Sequence, residues 1–277
     1  MPKIIWLASY PKSGNTWMRA FLANYLLNTA EPVPIGDLRA FSLSDVRPRF
    51  YDEVFEGDVR KMTAEQSVRL RPDAQRCLAE AREHDHFVKT HSRQGMLNGT
   101  PLIERSVSAG AIYIVRNPFD IVPSYASHLG VEPDQAIDVM ADPDHATVEA
   151  DVQIMTALGR WDAHVESWMD DQSTLPVCLV RYEDLRAVPE QAFGRVIQTL
   201  GLPFDTNRLA RAIRHCSFEE LSRQEEEGGF SERPPHMERF FRAGRSGEGA
   251  EELSSLQRQR LVSEFGAVMR KLGYLER

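Results

Sequence analysis

Four short runs led by apolar residues, each predicted to form one strand, recur along the chain, and polar residues follow each of them. They begin at Ile4, Phe87, Ala111 and Val177. The run over residues 111–115 is apolar at nearly every position, as is typical of a strand covered on both faces in a parallel sheet. Because helix-like patterns separate the runs, the sequence predicts parallel crossover connections. The expected fold is α/β, with a central parallel sheet of about four to five strands flanked by helices.

The segments between the runs follow the helical period. In the first of them, the apolar residues of 17–26 lie on one side of a helix. Trp161 and Trp168 are seven residues apart, so they share a helix face and are interpreted as core residues. Glu183 and Asp184 are interpreted as caps of the helix that follows them. Further helices are predicted over residues 74–84, 133–140, 148–168, 190–200, 207–214 and 256–272, short helices and loops over 31–60, and a mobile loop over 222–239.

The loop between the first strand and the first helix, residues 10–16 with the sequence Y-P-K-S-G-N-T, is a candidate phosphate-binding site. A strand–loop–helix turn directs backbone N–H groups and the positive end of the helix dipole at one point. Lys12 adds a positive charge there, and Ser13 and Thr16 add hydroxyl groups. The order differs from that of a Walker loop, G-x-x-x-x-G-K-[ST], because Lys12 precedes Gly14. A plain turn with a solvated lysine is the alternative explanation.

Polar residues with suitable chemistry follow the other three strands. Lys89 and His91 end the second, Arg116 follows the third with Ser124 eight residues later, and Tyr182 follows the fourth. Open parallel sheets bind ligands at the carboxyl ends of their strands, so these side chains are expected to converge. A neutral imidazole can take a proton from a hydroxyl group, and a guanidinium can bind two phosphate oxygens. A lone histidine, however, is more often a surface or core residue.

The composition narrows the choice of partner. A chain of 277 residues with 42% hydrophobic and 27% charged residues is typical of a globular protein of one domain. Its net charge of −8 argues against a nucleic-acid partner, since no basic stripe is available.

No apolar run is long enough to span a membrane, and Met1 leads so directly into the first strand that no signal peptide is expected. The few, widely spaced cysteines indicate a reducing, cytoplasmic compartment and no metal site. They are Cys77, Cys178 and Cys216.

Several motifs, spread over nearly the whole chain, resemble those of the cytosolic sulfotransferase family that uses 3′-phosphoadenosine 5′-phosphosulfate (PAPS), bacterial small-molecule sulfotransferases included. The family's Y-P-K-[SA]-G-[TN]-T-W, K-T-H, R-[ND]-P-x-D-x-x-x-S and R-Y-E-D-L are matched at residues 10–17, 89–91, 116–124 and 181–185. Residues 216–221 resemble the family's [TS]-S-F-x-x-[ML], with Cys216 at the first position. The last motif, F-x-R-K-G-x-x-G-D-W, is matched only in part at residues 240–249. Ala243 replaces its lysine, so one phosphate-facing cation is missing, and Arg245 is a candidate replacement.

The resemblance implies a single sulfotransferase domain over residues 1–277, with a P-loop-like three-layer fold. It implies PAPS as co-substrate, no metal, and in-line transfer of a sulfo group to an acceptor oxygen or, less readily, nitrogen. His91 is then the general base, while Lys12 and Lys89 stabilise charge on the leaving phosphate and the sulfo group. The implied nucleotide contacts are Lys12, Ser13, Gly14, Asn15, Thr16, Trp17, Arg116, Ser124, Tyr182, Ser217, Phe218, Arg242 and Gly244. Of these, Arg116 and Ser124 are implied for the 3′-phosphate, and Trp17, Tyr182 and Phe218 for the adenine.

No motif identifies the acceptor. A small molecule or natural product is expected, and residues 31–60, 125–168 and 222–239 are expected to shape its pocket. The oligomeric state is open. Three histidines of the middle segment are interpreted as surface residues: His128, His145 and His164.

Two other classes of function remain open. A metal-dependent nucleotide kinase or NTPase predicts Mg²⁺-dependent ATP turnover, and the missing G-K-[ST] order argues against it. A noncatalytic nucleotide-binding protein predicts tight binding of adenosine 3′,5′-bisphosphate without transfer. The presence of both Lys12 and His91 argues against this second class, because a binder needs no base.

Overall fold

The computed structural model describes residues 1–148, 154–170, 174–241, 244, 247 and 249–276. The strands among these residues are β1 (Ile4–Ser9), β2 (Leu43–Ser44), β3 (His86–Thr90), β4 (Met96–Leu97), β5 (Thr100–Pro101), β6 (Ser108–Val115), β7 (Ala146–Val148), β8 (Met155–Ala157) and β9 (Val177–Arg181). The α-helices are α1 (Asn15–Leu27), α2 (Leu38–Phe41), α3 (Pro48–Asp52), α4 (Ala64–Ala79), α5 (Pro118–Leu129), α6 (Pro133–Ala141), α7 (Trp161–Met169), α8 (Tyr182–Ala187), α9 (Pro189–Thr199), α10 (Thr206–His215), α11 (Phe218–Gly228), α12 (Gly249–Glu252) and α13 (Ser255–Lys271). Within this described part, no helix has the length and apolar character needed to cross a membrane.

Five of the strands form one sheet in the order β2-β3-β1-β6-β9. β3 pairs in parallel with both β1 and β2. The register places Ala8 beside Thr90, so Ser9 and His91 follow at the same edge of the sheet. β1, β3, β6 and β9 are the strands expected from the four apolar runs, and helices flank the sheet. The predicted α/β fold with a central parallel sheet is therefore confirmed, while the two-residue strand β2 is an addition that no pattern indicated.

The chain forms two compact units. The first unit consists of Met1–Tyr10, Ser42–Tyr113 and Val139–Leu179, and the second of Pro11–Phe41, Ile114–Asp138 and Val180–Arg277. That the whole chain acts as one domain stays a prediction.

A buried ion pair organises the segment that follows β3 in the first unit. Arg71 Nη1 donates to the Asp45 carboxylate at 2.8 Å and to Ser92 Oγ at 3.2 Å, and the Thr90 hydroxyl donates to the same carboxylate at 2.9 Å. The side chains of Arg71 and Asp45 are 0% and 2% exposed. Removing one member of such a pair costs about 3–5 kcal/mol, because the other charge is left buried and uncompensated. The network therefore holds the residues on either side of His91.

Helix α1 is anchored in the second unit by its apolar side and by its C-terminal end. Phe21 stacks on Phe193 of α9 with the ring centroids 4.0 Å apart. The Arg208 guanidinium donates to the carbonyl groups of Tyr25 and Leu26 in the last turn, where the negative end of the helix dipole favours a cation. These contacts hold the helix whose N-terminus follows the candidate phosphate loop.

The predicted helix over residues 148–168 is wrong in its first part and confirmed from Trp161 onward. Residues on both sides of positions 149–153, which lie outside the described residues, form the antiparallel pair β7 and β8, with Thr147 opposite Thr156. Helix α7 begins only at Trp161, after Gly159 with φ of +64°. β-Branched residues such as these threonines lose side-chain freedom in a helix and pack well in strands, which explains the outcome.

Helices α4 and α11 also depart from prediction. α4 begins at Ala64, well before the predicted start at residue 74, and ends at Ala79. Thr63 Oγ1 accepts a hydrogen bond from the Gln66 backbone and the Gln66 side chain accepts one from the Thr63 backbone, so the overlooked signal was a capping box. α11 extends to Gly228, so the first part of the predicted 222–239 loop is helical.

Candidate active site

The loop between β1 and α1 has a backbone conformation that few residues adopt. Lys12 and Gly14 both have positive φ, +63° and +105°. For a residue with a side chain, this left-handed region costs roughly 1–2 kcal/mol. A Cβ atom at Gly14 would lie 2.7 Å from Cδ2 of Tyr182, so only glycine fits there. The loop thus turns tightly into α1.

The N-terminus of α1 is suited to an anion. Its N-cap residue, Gly14, provides no side-chain cap, and the first turn of this fully described helix holds no acidic residue. The hydroxyl group of Ser13 is buried and has no hydrogen-bond partner among the described residues. Buried polar groups are almost always paired, and a phosphate oxygen is a natural partner at a helix N-terminus. These groups therefore fit the phosphosulfate that the resemblance implies.

Arg116 brings a second cation to this loop. Its Nη1 donates to the Lys12 carbonyl oxygen at 3.1 Å, and its Cζ lies 4.3 Å from the centre of the Tyr182 ring. Burial raises the pKa of Tyr182, so the ring is neutral. The contacts with a carbonyl oxygen and a ring face hold the guanidinium in place, and a guanidinium is a group that binds anions. The second unit thus brings Lys12, Arg116 and Tyr182 together.

Two aromatic contacts concern the residues implied for the adenine. The rings of Trp17 and Tyr182 meet edge to face with their centroids 5.4 Å apart. Phe218 packs against Gly244, where an added Cβ atom would approach the Phe218 ring to 2.1 Å. Gly244 therefore has to be glycine for the chain to pass so close to that ring. The adenine-binding roles of these residues stay predictions.

A buried carboxylate ties the start of the last motif to the second unit. Glu225 is 4% exposed and accepts hydrogen bonds from the backbone N–H groups of Phe240 and Phe241, at 2.7 Å and 2.9 Å. The Phe240 ring lies 4.1 Å from Lys12 Nζ, which is a cation–π contact. Glu225 thereby places the ring that contacts Lys12.

The remaining nucleotide contacts implied by the resemblance are less well defined by the structure. Ser217 is the N-cap of α11, and its hydroxyl accepts a hydrogen bond from the backbone of the first turn. Ser124 is half-buried on α5. Arg242, Ala243 and Arg245 lie outside the described residues, so their implied roles stay predictions.

In the first unit, the imidazole of His91 has a defined tautomer. Its Nδ1 lies 2.7 Å from the Ser9 carbonyl oxygen, which can only accept, so Nδ1 carries the proton. The basic lone pair is therefore on Nε2, the position from which a neutral imidazole can take a proton. Lys89 lies half-buried on β3, two residues earlier.

His164 supports His91 from α7. The side chain is fully buried, its Nε2–H donates to the His91 carbonyl oxygen at 3.0 Å, and the Tyr113 hydroxyl donates to its Nδ1 at 2.9 Å. Burial lowers its pKa to about 4, so the ring is neutral. The interpretation of His164 as a surface residue is therefore wrong. With Trp161 and Trp168, both buried as predicted, it lies at positions i, i+3 and i+7 of one helix face, a spacing that indicated the core.

The buried His164 makes stability depend on pH. The unfolded chain takes up a proton at this residue as the pH falls through 6.5, whereas the folded chain excludes it down to about pH 4. The depressed folded-state pKa therefore lowers the free energy of unfolding by about 2 kcal/mol between pH 7.5 and pH 5. In His164→Gln, whose amide can make both hydrogen bonds without titrating, we expect this component to be absent. Urea unfolding of both proteins at the two pH values measures it, and an equal loss in both would contradict the assignment.

Glu183 has a partner that its interpretation as a helix cap did not foresee. Its Oε1 accepts a hydrogen bond from the backbone N–H of Asn117 at 2.9 Å. The N-cap residue of α8 is Arg181, and no side-chain cap is present there. The cap interpretation is therefore wrong for Glu183. No local pattern in the sequence signals a partner in a distant segment.

A family model described as the sulfotransferase domain matches residues 2–273. The chain belongs to this family. Sulfotransferase 1A1 of Canis lupus familiaris is 24% identical over 193 residues, 68% of this sulfotransferase-family chain and 63% of the dog protein, slightly less than two thirds of its length. Flavonol 3-sulfotransferase of Flaveria bidentis is 24% identical over 259 residues, 89% of this chain and 75% of that protein. The family predicted from the motifs is confirmed.

Solved structures of two proteins share the fold of this sulfotransferase-family chain. Retinol dehydratase in complex with androsterone and the inactive cofactor PAP superimposes with a TM-score of 0.65 at 14% identity, covering 96% of this chain and 80% of that one. Mouse sulfotransferase SULT7A1 complexed with PAP gives a TM-score of 0.61 at 20% identity, with coverages of 97% and 84%. The predicted P-loop-like three-layer architecture is confirmed.

Proposed function

We propose that this sulfotransferase-family protein transfers a sulfo group from PAPS to a hydroxyl group, or less readily an amine, of a small-molecule or natural-product acceptor. The observation that carries the proposal is the anion site at the start of α1. It combines the buried hydroxyl of Ser13, which has no partner in the described part of the chain, with the N-terminus of α1 and two cations of the same unit, Lys12 and Arg116. Fixed donors and cations of this kind suit a nucleotide with phosphate groups at two positions.

The residues of the second unit are proposed to bind the nucleotide. The helix N-terminus and Ser13 bind the 5′-phosphosulfate, since both direct donors at one anion. Arg116 and Ser124 bind the 3′-phosphate, for which a guanidinium offers two parallel N–H donors. Trp17 and Tyr182 contact the adenine, because aromatic faces suit a flat base.

The proton from the acceptor is proposed to pass to His91. Its Nδ1–H is directed to the Ser9 carbonyl group, so Nε2 accepts the proton as the oxygen of the acceptor becomes nucleophilic. Lys12 and Lys89 stabilise negative charge on the leaving phosphate and on the sulfo oxygens. PAPS supplies the sulfo group, whose bond to the phosphate oxygen breaks as the bond to the acceptor forms.

Replacing Arg116 tests the nucleotide half of the proposal. Arg116→Ala should weaken binding of adenosine 3′,5′-bisphosphate by about 10- to 100-fold, because hydrogen bonds to a charged group contribute about 1.5–3 kcal/mol. The affinity of Arg116→Lys should lie between those of wild type and Arg116→Ala, since lysine keeps the charge and loses the planar fork. Isothermal titration of the three proteins measures the effect. Unchanged affinity in Arg116→Ala would remove this residue from the site.

The transfer reaction itself is tested by incubating the full chain with PAPS and a pool of phenols, alcohols and amines. Mass spectrometry is expected to detect products that have gained one sulfo group. The names of the relatives suggest flavonols and steroid alcohols as first members of the pool. Binding of the bisphosphate without transfer to any acceptor would favour a noncatalytic binder, and Mg²⁺-dependent ATP turnover would favour a kinase or NTPase.

A cytoplasmic location belongs to the same proposal. Cys77, Cys178 and Cys216 form no disulfide, which is the state expected in a reducing compartment. No nucleic-acid partner is proposed, given the net charge of −8.

A further inference from the structure

Glu183 lies between two hydrogen-bond donors from distant parts of the second unit. Its Oε1 accepts from the Asn117 backbone N–H at 2.9 Å, and its Oε2 accepts from the Tyr274 hydroxyl at 3.0 Å. The side chain is 19% exposed, and burial raises the pKa of the carboxyl group. The carboxylate thus connects Asn117 to Tyr274, and the Arg181 Nε lies 3.9 Å from its Oε2.

The Asn117 contact concerns Arg116 directly. Asn117 is the next residue in the chain and the N-cap of α5, where its Oδ1 accepts a hydrogen bond from the Phe119 backbone. The hydrogen bond that its N–H donates to Glu183 therefore fixes the peptide that joins Arg116 to α5. The ring of Tyr182, the residue before Glu183, lies against the Arg116 guanidinium. Two consecutive residues of α8 thus hold Arg116, one at the side chain and the other at the adjoining backbone.

The Tyr274 contact extends this arrangement to the last residues of the chain. Tyr274 follows α13, and its backbone N–H donates to the Met269 carbonyl oxygen at 2.8 Å. The Arg181 guanidinium lies 4.8 Å from the centre of the Tyr274 ring. The phenol is therefore held on both its ring and its hydroxyl, and it can keep the Glu183 carboxylate turned toward Asn117.

We propose that Glu183 and Tyr274 are positioning residues that hold Arg116 for the 3′-phosphate, and that they thereby set the preference for adenine nucleotides carrying that phosphate. The inference rests on the proposed function, in which Arg116 binds the 3′-phosphate. A charged fork contributes its full binding energy only when both N–H groups are aligned, so a small shift of its backbone weakens the contact. Nucleotides without a 3′-phosphate lose nothing by such a shift.

The test compares two ligands by isothermal titration of the full chain: adenosine 3′,5′-bisphosphate and adenosine 5′-monophosphate. Glu183→Ala should lower the affinity for the bisphosphate by about tenfold, as expected for the loss of one charge-assisted hydrogen bond. Its affinity for the monophosphate should stay within about twofold of wild type, because the groups proposed for the 5′ end and the base are intact. Glu183→Gln can still accept from Asn117 and donate to Tyr274, so it should recover much of the preference.

Tyr274→Phe tests the second of the two positioning residues with little risk to folding, since the substitution removes one oxygen from a half-buried ring. It should lower bisphosphate affinity by about threefold and leave monophosphate affinity unchanged, as fits a neutral donor one step away from Arg116. Asp184→Asn is the matched control, a carboxylate one residue along the same helix, and it should match wild type for both ligands.

The outcomes separate the inference from the function on which it rests. Wild type that fails to prefer the bisphosphate would overturn the proposed function and the inference with it. A preference that persists in both Glu183→Ala and Tyr274→Phe would overturn the inference alone. Equal losses for both ligands would also overturn it, because they would show that Glu183 merely stabilises the fold. Should Glu183→Ala not fold, Tyr274→Phe and Glu183→Gln decide.

Discussion

Replacing His91 with alanine should lower kcat by roughly 10²-fold or more, the usual size of a general-base effect, while the affinity for adenosine 3′,5′-bisphosphate stays unchanged. The reason is the tautomer of the imidazole. Its Nδ1–H is directed to the Ser9 carbonyl group, so Nε2 offers the lone pair needed by an acceptor hydroxyl. The alanine variant keeps the groups proposed to bind the nucleotide, all of which lie elsewhere in the chain.

Steady-state sulfo transfer and isothermal titration measure the two quantities for His91→Ala. His84→Ala is the matched control, because this exposed histidine lies shortly before the same strand and should leave both unchanged. Turnover of His91→Ala close to wild type would exclude His91 from the mechanism. A parallel loss of nucleotide affinity would instead assign it to binding.

Replacing Lys12 with methionine should lower kcat by about 10²–10³-fold, the range found when one preorganised charge-stabilising group is removed from a transition state. Lys12 is held for this role by its left-handed backbone, by the hydrogen bond from Arg116 to its carbonyl oxygen, and by the Phe240 ring below its ammonium group. Methionine has a similar length and keeps the packing. The loss of kcat therefore measures the contribution of the positive charge on Lys12.

Two control variants distinguish loss of the Lys12 charge from other effects of the substitution. Lys12→Arg should retain more activity than Lys12→Met, since it keeps a cation on a side chain of different shape. Lys61→Met removes an exposed lysine and should change neither kcat nor nucleotide affinity. If Lys12→Met turned over as fast as wild type, charge stabilisation by Lys12 would be refuted.

The sequence by itself determined the α/β class, the four principal strands and the loop at the start of α1. These features depend on near neighbours in the chain. Apolar runs report strands buried on both faces, and the order of Lys12 and Gly14 separates this loop from a Walker loop. The family motifs then identified the sulfotransferase fold, which the match over residues 2–273 confirms.

Only the tertiary structure decided which side chains support the site. Thr147 and Thr156 pair in antiparallel strands where a helix was expected, and His164 lies buried against the backbone of His91. Glu183 forms hydrogen bonds with Asn117 and Tyr274, which lie 66 and 91 positions away in the chain. The physical reason is that helix and strand propensities and hydrophobic periodicity depend only on residues within one segment. A hydrogen bond between distant segments exists only once the packing of strands and helices has placed its donor and acceptor within reach.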